Sequence, residues 1–418
     1  MTHVAARDGY AAASIAKVIA DARVSRPTFY EYFADKDDCF LAAQLAAAQV
    51  LVEQVDAAVA QGPPSRAPQS AIAAMLQFAA REQPQAQFLM CELPAGGPRS
   101  LDQRDALVAS IAARVDQARG GLAGDERSPD LPVSAMVGGV MWLLAPGMRS
   151  REDLGRVTGE LERWVDRYSR PVAEHRWASL QAGSAPPPSA YISELPSHAP
   201  TALGPGRPGI SRGEVARNQR ERIMYATAEV AARRGFNAAT LGEIAAAAHV
   251  DARVLGAHFA DKEQAFLAAH EFGFQHLMAV AASAFFSARS WPERAWEGIL
   301  AGAQFQATHP ELSHMLYVQS YAIGAEALER INRTHAAFTL FLQEGNEHAA
   351  KPVSPLAMEA IVAVSFEIVY QLSRQDKGEA VPRLVPHAAY LCLAPFLGPE
   401  ATEALIDEKM RGGAREAR

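Results

Sequence analysis

An internal repeat constrains the architecture of this 418-residue chain more than any other feature. Displaced by 226 residues, the sequence lays Gly9 on Gly235, Phe33 on Phe259, Asp35-Lys36 on Asp261-Lys262 and Phe40-Leu41 on Phe266-Leu267 without a gap. Over positions 4 to 43, 18 residues are identical, and nine of those are alanines in an alanine-rich chain. The weight therefore falls on Val4, Arg7, Gly9, Val24, Phe33, Asp35, Lys36, Phe40 and Leu41. Two related units in tandem follow, each with its own hydrophobic core, as the chain length also suggests.

The repeated stretch has the pattern of a small helical head. Ser14 is placed to cap a helix whose apolar positions Ile15, Val18, Ile19 and Ala22 recur at i, i+3, i+4 and i+7. A second short helix follows in Val24-Ser25-Arg26-Pro27-Thr28-Phe29-Tyr30-Glu31-Tyr32-Phe33. Ser25 is its expected N-cap, and Pro27 falls in the first turn, where a missing N–H costs nothing. Val24, Phe29 and Phe33 are expected to anchor one side in a core. Ser25, Arg26, Thr28, Tyr30 and Tyr32 present hydroxyls and a guanidinium outward, a chemistry suited to phosphates and base edges in a major groove. Two short helices with such a polar second member read as helix-turn-helix.

Gly9-Tyr10, Ile15-Ala16, Val24 to Tyr30, Tyr32-Phe33 and Lys36 together resemble the N-terminal domain of the TetR family of transcriptional regulators. The resemblance implies an all-α protein of two tandem units, each a three-helix head followed by a helical bundle for ligand binding and dimerisation. It implies operator DNA and a small-molecule effector as partners, with no cofactor, no metal and no catalytic residue. The DNA-binding set it implies is Ser14, Ser25, Arg26, Pro27, Thr28, Tyr30, Tyr32 and Lys36. A lysine at the place of Lys36 contacts the DNA backbone in this family. It follows Asp35 at the start of the next helix, where a cation opposes the helix dipole and gains nothing from the isolated fold.

The second head keeps the scaffold and changes the surface. Val24/Val250, Phe29/Leu255 and Phe33/Phe259 preserve the inward side, but none of Ser25 to Tyr32 matches its partner in Asp251 to His258. Thr28 becomes Val254 and Tyr30 becomes Gly256, a residue that costs about 1 kcal/mol in a helix relative to alanine. Asp251 still caps, but its carboxylate repels a phosphate. A weaker contact set remains in Thr240, Arg253, His258 and Lys262, so this head is expected to fold and to read DNA poorly. Thr240-x-x-Glu243 is a capping box. In both heads the turn between the two helices lacks the family's glycine and carries Arg23 or His249.

Composition bounds the rest. A net charge of −7 and a pI near 6.0 do not advertise a nucleic-acid binder, yet the charge that matters is local to the reading face. Cys39, Cys91 and Cys392 are too few and too scattered for a disulfide framework. No signal peptide opens the sequence, and no apolar run reaches the roughly 20 residues of a spanning helix. The longest candidate, Met136 to Pro146, suits a buried helix; no membrane partner and a cytoplasmic location are expected.

The expected organisation is a first head at 1–44, a first helical domain at 45–180, a linker at 181–210, a second head at 211–271, a second helical domain at 272–402 and a charged tail at 403–418. The linker is rich in Pro, Gly, Ser and Ala. Its Gly204, Gly206 and Gly209 spell a G-x-G-x-x-G, rejected as a dinucleotide site because no strand precedes it. Arg207, Arg212, Arg217, Arg220 and Arg222 form either a basic arm that reaches DNA or a solvated linker end. Helices are expected over Phe40 to Val59, Ser70 to Ala80, Leu101 to Ala118, Val133 to Leu144 and Arg151 to Tyr168. In the second unit they are expected over Asn218 to Arg234, Thr240 to Ala248, Phe266 to Phe286, Trp296 to Ala307, Met315 to Ala322, Glu326 to Gln343, Ser354 to Ser373 and Val385 to Leu397. Phe285, Phe286, Trp296, Phe305, Tyr317, Tyr321, Phe338, Phe341, Phe366 and Tyr370 suit plain core or the lining of a ligand cavity. His309, His314, His335 and His348 lie on different helices and suit local hydrogen bonds. The helix expected from Asn218 maps to a point before Met1 in the first unit, which leaves only Thr2 to Asp8 of that helix and predicts an under-packed head or an upstream start.

These features make a ligand-responsive DNA-binding repressor the leading reading; the alternative is a tandem small-molecule sensor with vestigial heads. A linker of about thirty residues spans roughly 30 Å as a coil. That favours self-association as an intrachain pseudo-dimer over a homodimer of two chains.

Overall fold

The computed structural model describes residues 1–92, 96–122, 132–150, 154–168, 185–189, 198–203, 209–319 and 325–416. The described residues are mostly helical and contain no strand. Arg207, Gly204, Gly206, Tyr321 and most of the linker lie outside them.

The first head comprises α1 (Thr2–Asp8), α2 (Ile15–Ala22) and α3 (Arg26–Tyr32), followed by the long α4 (Lys36–Gln61). Local chemistry sets each boundary. Ser14 Oγ accepts from Lys17 N, Ser25 Oγ from Thr28 N, and the Asp35 carboxylate from Asp38 N at 2.8 Å. Val4, Ala13, Val18, Phe29 and Cys39 form the core of the head, with Ile15, Ile19 and Phe33 packed on its edge. Val24 is not part of it. The residue sits in the turn before the Ser25 cap and is 41% exposed, so the first head is anchored by Phe29 and Phe33 alone on that side.

The bundle behind this head is α5 (Ala67–Arg81), α6 (Gln83–Gln87) running into a π-turn at Phe88–Glu92, α7 (Pro98–Arg119), α8 (Val133–Ser150) and α9 (Leu154–Val165). Apolar residues at helical spacing, among them Leu51, Val55, Ile72, Met75, Ile111 and Val115, fill it.

The first helix of the second repeat begins earlier than its apolar pattern suggests, close to the expected start of the head at 211. Its first helix, α10 (Arg212–Arg234), starts at a Ser211/Glu214 capping box, so Arg212, Arg217, Arg220 and Arg222 are helical residues and not an extended arm. Arg222 is buried and donates to the carbonyls of Ala248 and His249, the latter at 2.8 Å, satisfying the end of the next helix. Then come α11 (Leu241–Ala247), α12 (Ala252–His258), α13 (Lys262–Ser287), α14 (Trp291–Thr308), α15 (Pro310–Tyr317), α16 (Ala325–Gln343), α17 (Pro355–Arg374), α18 (Val385–Leu397) and α19 (Pro399–Glu416). The helix expected from Met315 begins earlier, since Pro310 starts it in its first turn, and residues 320–322 of that expectation lie outside the described residues. Pro399–Glu416 is helical with Ile406 buried, although its charge suggests a tail.

Pro355–Arg374 and Gly378–Leu397 are long and apolar enough to cross a membrane, contrary to the expectation that no run is. Of the most apolar 18-residue stretch of each, 67% is buried inside the protein, which explains their composition as core.

The chain divides into two compact units. The first consists of Met1–Ala182, Phe338–Ile368 and Tyr390–Thr402; the second of Gly183–Ala337, Val369–Ala389 and Glu403–Arg418. Within the first unit, segments of the second repeat complete the bundle of the first. Tyr168 donates to Leu391 O at 2.6 Å, and Arg167 donates to Pro352 O at 2.6 Å and Pro395 O at 2.8 Å. Gly139 lies against Val364, where a Cβ would come within 2.7 Å of the valine side chain. Within the second unit, α13 and α14 pack lengthwise around Leu277, Val280, Trp296, Leu300 and Phe305.

Candidate nucleic-acid interface

The outward side of α3 carries the first head's candidate contacts. Ser25, Arg26, Pro27, Tyr30 and Tyr32 are exposed, and Thr28 is half-buried. The Ser25 and Thr28 hydroxyls lie 2.8 Å apart at the start of the helix, and the Arg26 guanidinium stands 6.0 Å from the Tyr30 ring. Phe29 turns the opposite way, at right angles to Tyr30 and into the core. The exposed part of α3 therefore carries a guanidinium, two aliphatic hydroxyls and two phenols, with Ser25 beside Thr28 and Arg26 beside Tyr30, while buried Phe29 holds the helix in place. Ser14 is exposed at the start of α2, on the cap of the preceding helix.

Lys36 does more in the isolated fold than its place at a helix N-terminus suggests. Its Nζ lies 4.0 Å from the Tyr10 ring centroid and donates to Tyr10 O at 3.3 Å. Lys262 repeats the arrangement, 4.6 Å from the Phe236 ring and donating to Phe236 O at 2.7 Å and Asn237 O at 3.2 Å. The expectation that this cation gains nothing without DNA is thus corrected: each lysine ties the start of the long helix to the turn after the first one. Tyr10 also donates its hydroxyl to Asp37, and burial together with that carboxylate pushes its phenol pKa up.

That turn is also where each head is held to its own core. Gly9 and Gly235 adopt φ of 83° and 75°, a region that favours glycine. The next backbone N–H donates to a core side chain: Tyr10 N to Glu92 Oε2 at 3.0 Å, and Phe236 N to Gln319 Oε1 at 2.9 Å. The Gln319 amide in turn meets His314 Nε2 at 3.0 Å, and burial lowers the His314 pKa. Neither Glu92 nor Gln319 stands out in the sequence, because each acts on a backbone N–H more than 80 residues away.

The missing turn glycine changes less than its absence suggests. Arg23 and His249 take φ of 55° and 50°, so both turns keep the left-handed residue that closes the preceding helix. Val24 N donates to Ile19 O at 3.1 Å and Val250 N to Ala245 O at 3.0 Å, the long bond of a glycine-type helix stop.

The second head is similar in build and carries fewer hydroxyl and aromatic groups on its third helix. Thr240 and Glu243 form the expected capping box, and Asp251 accepts from Arg253 N at 2.8 Å. Arg253 is exposed; His258 is half-buried, with its pKa lowered by burial and then by Arg220. Arg220 itself stacks on Phe259 at 4.7 Å. Where the first head offers Tyr30, the second has Gly256 facing open space.

The sequence profile of the bacterial regulatory proteins of the tetR family matches residues 2–43 and 223–269, the two stretches just described. Both heads are tetR-family heads. Among curated proteins none matches the chain. Solved structures similar to it include the fatty acid degradation regulator FadR from Bacillus halodurans, 19% identical over 42% of this chain and 94% of that one, with a TM-score of 0.39. A TetR family transcription regulator from Marinobacter aquaeolei VT8 is 22% identical over 46% of this chain and 94% of that one, with a TM-score of 0.34. FadR from Bacillus subtilis, in complex with stearoyl-CoA, is 15% identical over 42% and 97%, with a TM-score of 0.38.

The aromatic interior is mainly core. Phe285, Trp296, Phe305, Tyr317 and Tyr370 are buried, whereas Phe286 is 70% exposed at the end of α13. Buried polar groups punctuate the second repeat's bundle. Gln306 donates to Tyr317 Oη at 2.8 Å, and His309 Nδ1 lies 3.0 Å from Phe305 O. Burial pushes the pKa values of His270 and His335 down to about 4.

Proposed function

We propose that the protein is a DNA-binding repressor whose first tetR-type head reads the operator and whose helical bundles receive a small-molecule effector. The observation that carries the reading is the face of α3. Ser25, Arg26, Tyr30 and Tyr32 are exposed with Thr28 beside them, and the equivalent face of α12 has Val254 and Gly256 instead. Hydroxyls and guanidinium groups of this kind bond phosphates and purine edges, and an aliphatic residue and a glycine do neither. In this reading Lys36 adds a backbone contact from the start of α4. The second head contributes, through Arg253 and Lys262, charge without sequence discrimination.

The Tyr10–Glu92 and Phe236–Gln319 bonds support effector control. A ligand that moves the π-turn at Phe88–Glu92 acts on the backbone from which α2 and α3 hang, and binding shifts the head only as far as its affinity differs between the two arrangements. The core shared by α8, α9 and parts of α17 and α18 supports self-association within one polypeptide.

The experiment is a gel-shift titration on the natural operator over a series of salt concentrations. Thr28→Val with Tyr30→Gly, which copies the second head's residues into the first, is expected to lose about 1–3 kcal/mol per contact and to abolish specific binding while far-UV helicity stays unchanged. Unchanged affinity would remove the first head from the reading role. A flat salt dependence of the wild type would favour the vestigial-head alternative.

A further inference from the structure

Deep in the first compact unit, Arg104 of α7 meets Glu367 of α17 as a two-pronged pair. Nη1 lies 2.8 Å from Oε1 and Nη2 lies 2.6 Å from Oε2. Arg104 is 2% exposed and Glu367 0%. Trp142 Nε1 of α8 donates to the same carboxylate at 2.6 Å, and its ring lies 4.7 Å from the guanidinium carbon. Arg104 and Trp142 come from the first repeat, and Glu367 from the second.

The pair is not mirrored. Aligning Ala135-Met136 with Ala357-Met358, the two helix starts, sets Glu367 level with Ala145, Gly138 with Ala360 and Gly139 with Ile361. A first repeat facing another first repeat would offer Ala145 to Arg104, leaving a buried guanidinium without this carboxylate. The converse pairing fails on shape. At Gly138 a Cβ would fall inside the Glu367 carboxyl group, and at Gly139 within 2.7 Å of Val364. A second repeat facing another second repeat would set Ala360 and Ile361 at those two places.

From this we infer that the repeats carry a one-sided key, Arg104 with Gly138 and Gly139 on one side and Glu367 on the other, which pairs first repeat with second and rejects both like-with-like pairings. Arg104 also reaches Asp105 Oδ1 at 3.4 Å, but a buried guanidinium that loses its two-pronged carboxylate and a methyl group forced into a carboxylate are both disfavoured, so specificity comes from the rejected pairings as much as from the chosen one. The second copy of the repeat is then the partner the first copy requires. Its divergence at Ala360, Ile361 and Glu367 has made the pairing heterotypic. This key rests on the proposed self-association within one polypeptide and is read without DNA, so its failure is distinguishable from a failure of the operator experiment.

The test moves the carboxylate in the full chain. Wild type is expected to run as one chain by light scattering at micromolar concentration. Glu367→Ala with Ala145→Glu places acid and base on the same repeat, which permits first repeats of two chains to pair, and the measured mass is expected to double. A variant that stays a single chain with wild-type thermal stability would overturn the inference, as would a wild type that is already a two-chain species. If the transferred variant does not fold, the double-mutant cycle of Arg104→Met and Glu367→Leu decides. Each single change is expected to lower the thermal midpoint by at least about 5 °C and the pair to lose clearly less than the sum, the Trp142 N–H being without the carboxylate in both Glu367 variants. Additive losses would show that no such key exists.

Discussion

At the scale of single residues, hydrogen bonds close along the chain fix where the short helices of both heads begin. Ser14, Ser25, Thr240 and Asp251 act as caps because a cap bonds a backbone N–H two or three residues away. Side chains with distant partners were hidden: Lys36 on Tyr10, Arg222 on Ala248, Glu92 on Tyr10 and Arg104 on Glu367. Val24 misled for a related reason, since an apolar residue in a turn is placed by chain geometry and not by periodicity. Two outcomes follow at this scale. Arg23 holds a left-handed conformation that costs a non-glycine residue about 1 kcal/mol, so Arg23→Gly is expected to leave thermal stability unchanged or raise it by up to that amount. A clear fall would mean that the Arg23 side chain supports the head. Glu92→Ala leaves a half-buried N–H without its acceptor and is expected to cost about 1–3 kcal/mol and to raise proteolysis around Gly9. Glu92→Gln keeps an acceptor there and is expected to lose much less; equal losses would make the charge, not the hydrogen bond, the important feature.

Among the elements, the long helices were legible from their apolar spacing, and their ends were less so. The start of α10 at Ser211 was hidden because its first turns are polar, Arg-rich and solvated, and α19 was hidden by its charge. The interior of the second repeat's bundle has a chemical consequence that helix prediction does not show. His270 of α13 is buried and His335 of α16 is half-buried, and both are neutral, with pKa values pushed down to about 4 from an ordinary 6.5. At pH above 6.5 both are neutral, folded or unfolded, and neither affects stability. Between about pH 6.5 and 4 the unfolded chain takes up protons that the folded chain refuses, so stability falls as pH falls, by up to about 3 kcal/mol for each group. The urea midpoint is expected to drop across that window, and His270→Phe with His335→Phe to flatten the drop. A midpoint as steep in the double variant would place the acid sensitivity elsewhere.

For the whole molecule, the repeat revealed that there are two copies, and the comparison of α3 with α12 revealed that they are not equivalent. What remained hidden was that Phe338–Ile368 and Tyr390–Thr402 of the second copy belong to the same compact unit as the first, because contacts across more than 200 residues leave no local trace. Taken with the absence of the Thr28 and Tyr30 chemistry from the second head, this supports the proposed regulator with one discriminating head per chain. Its operator should therefore be asymmetric. The most direct measurement is a base-pair substitution series across the whole protected duplex, with wild-type affinity read at fixed salt. Changes within one half-site are expected to cost about 1–3 kcal/mol per base pair, and those in the other half-site little. Equal sensitivity in two palindromic half-sites would contradict the account, since it would require two good heads from two separate chains.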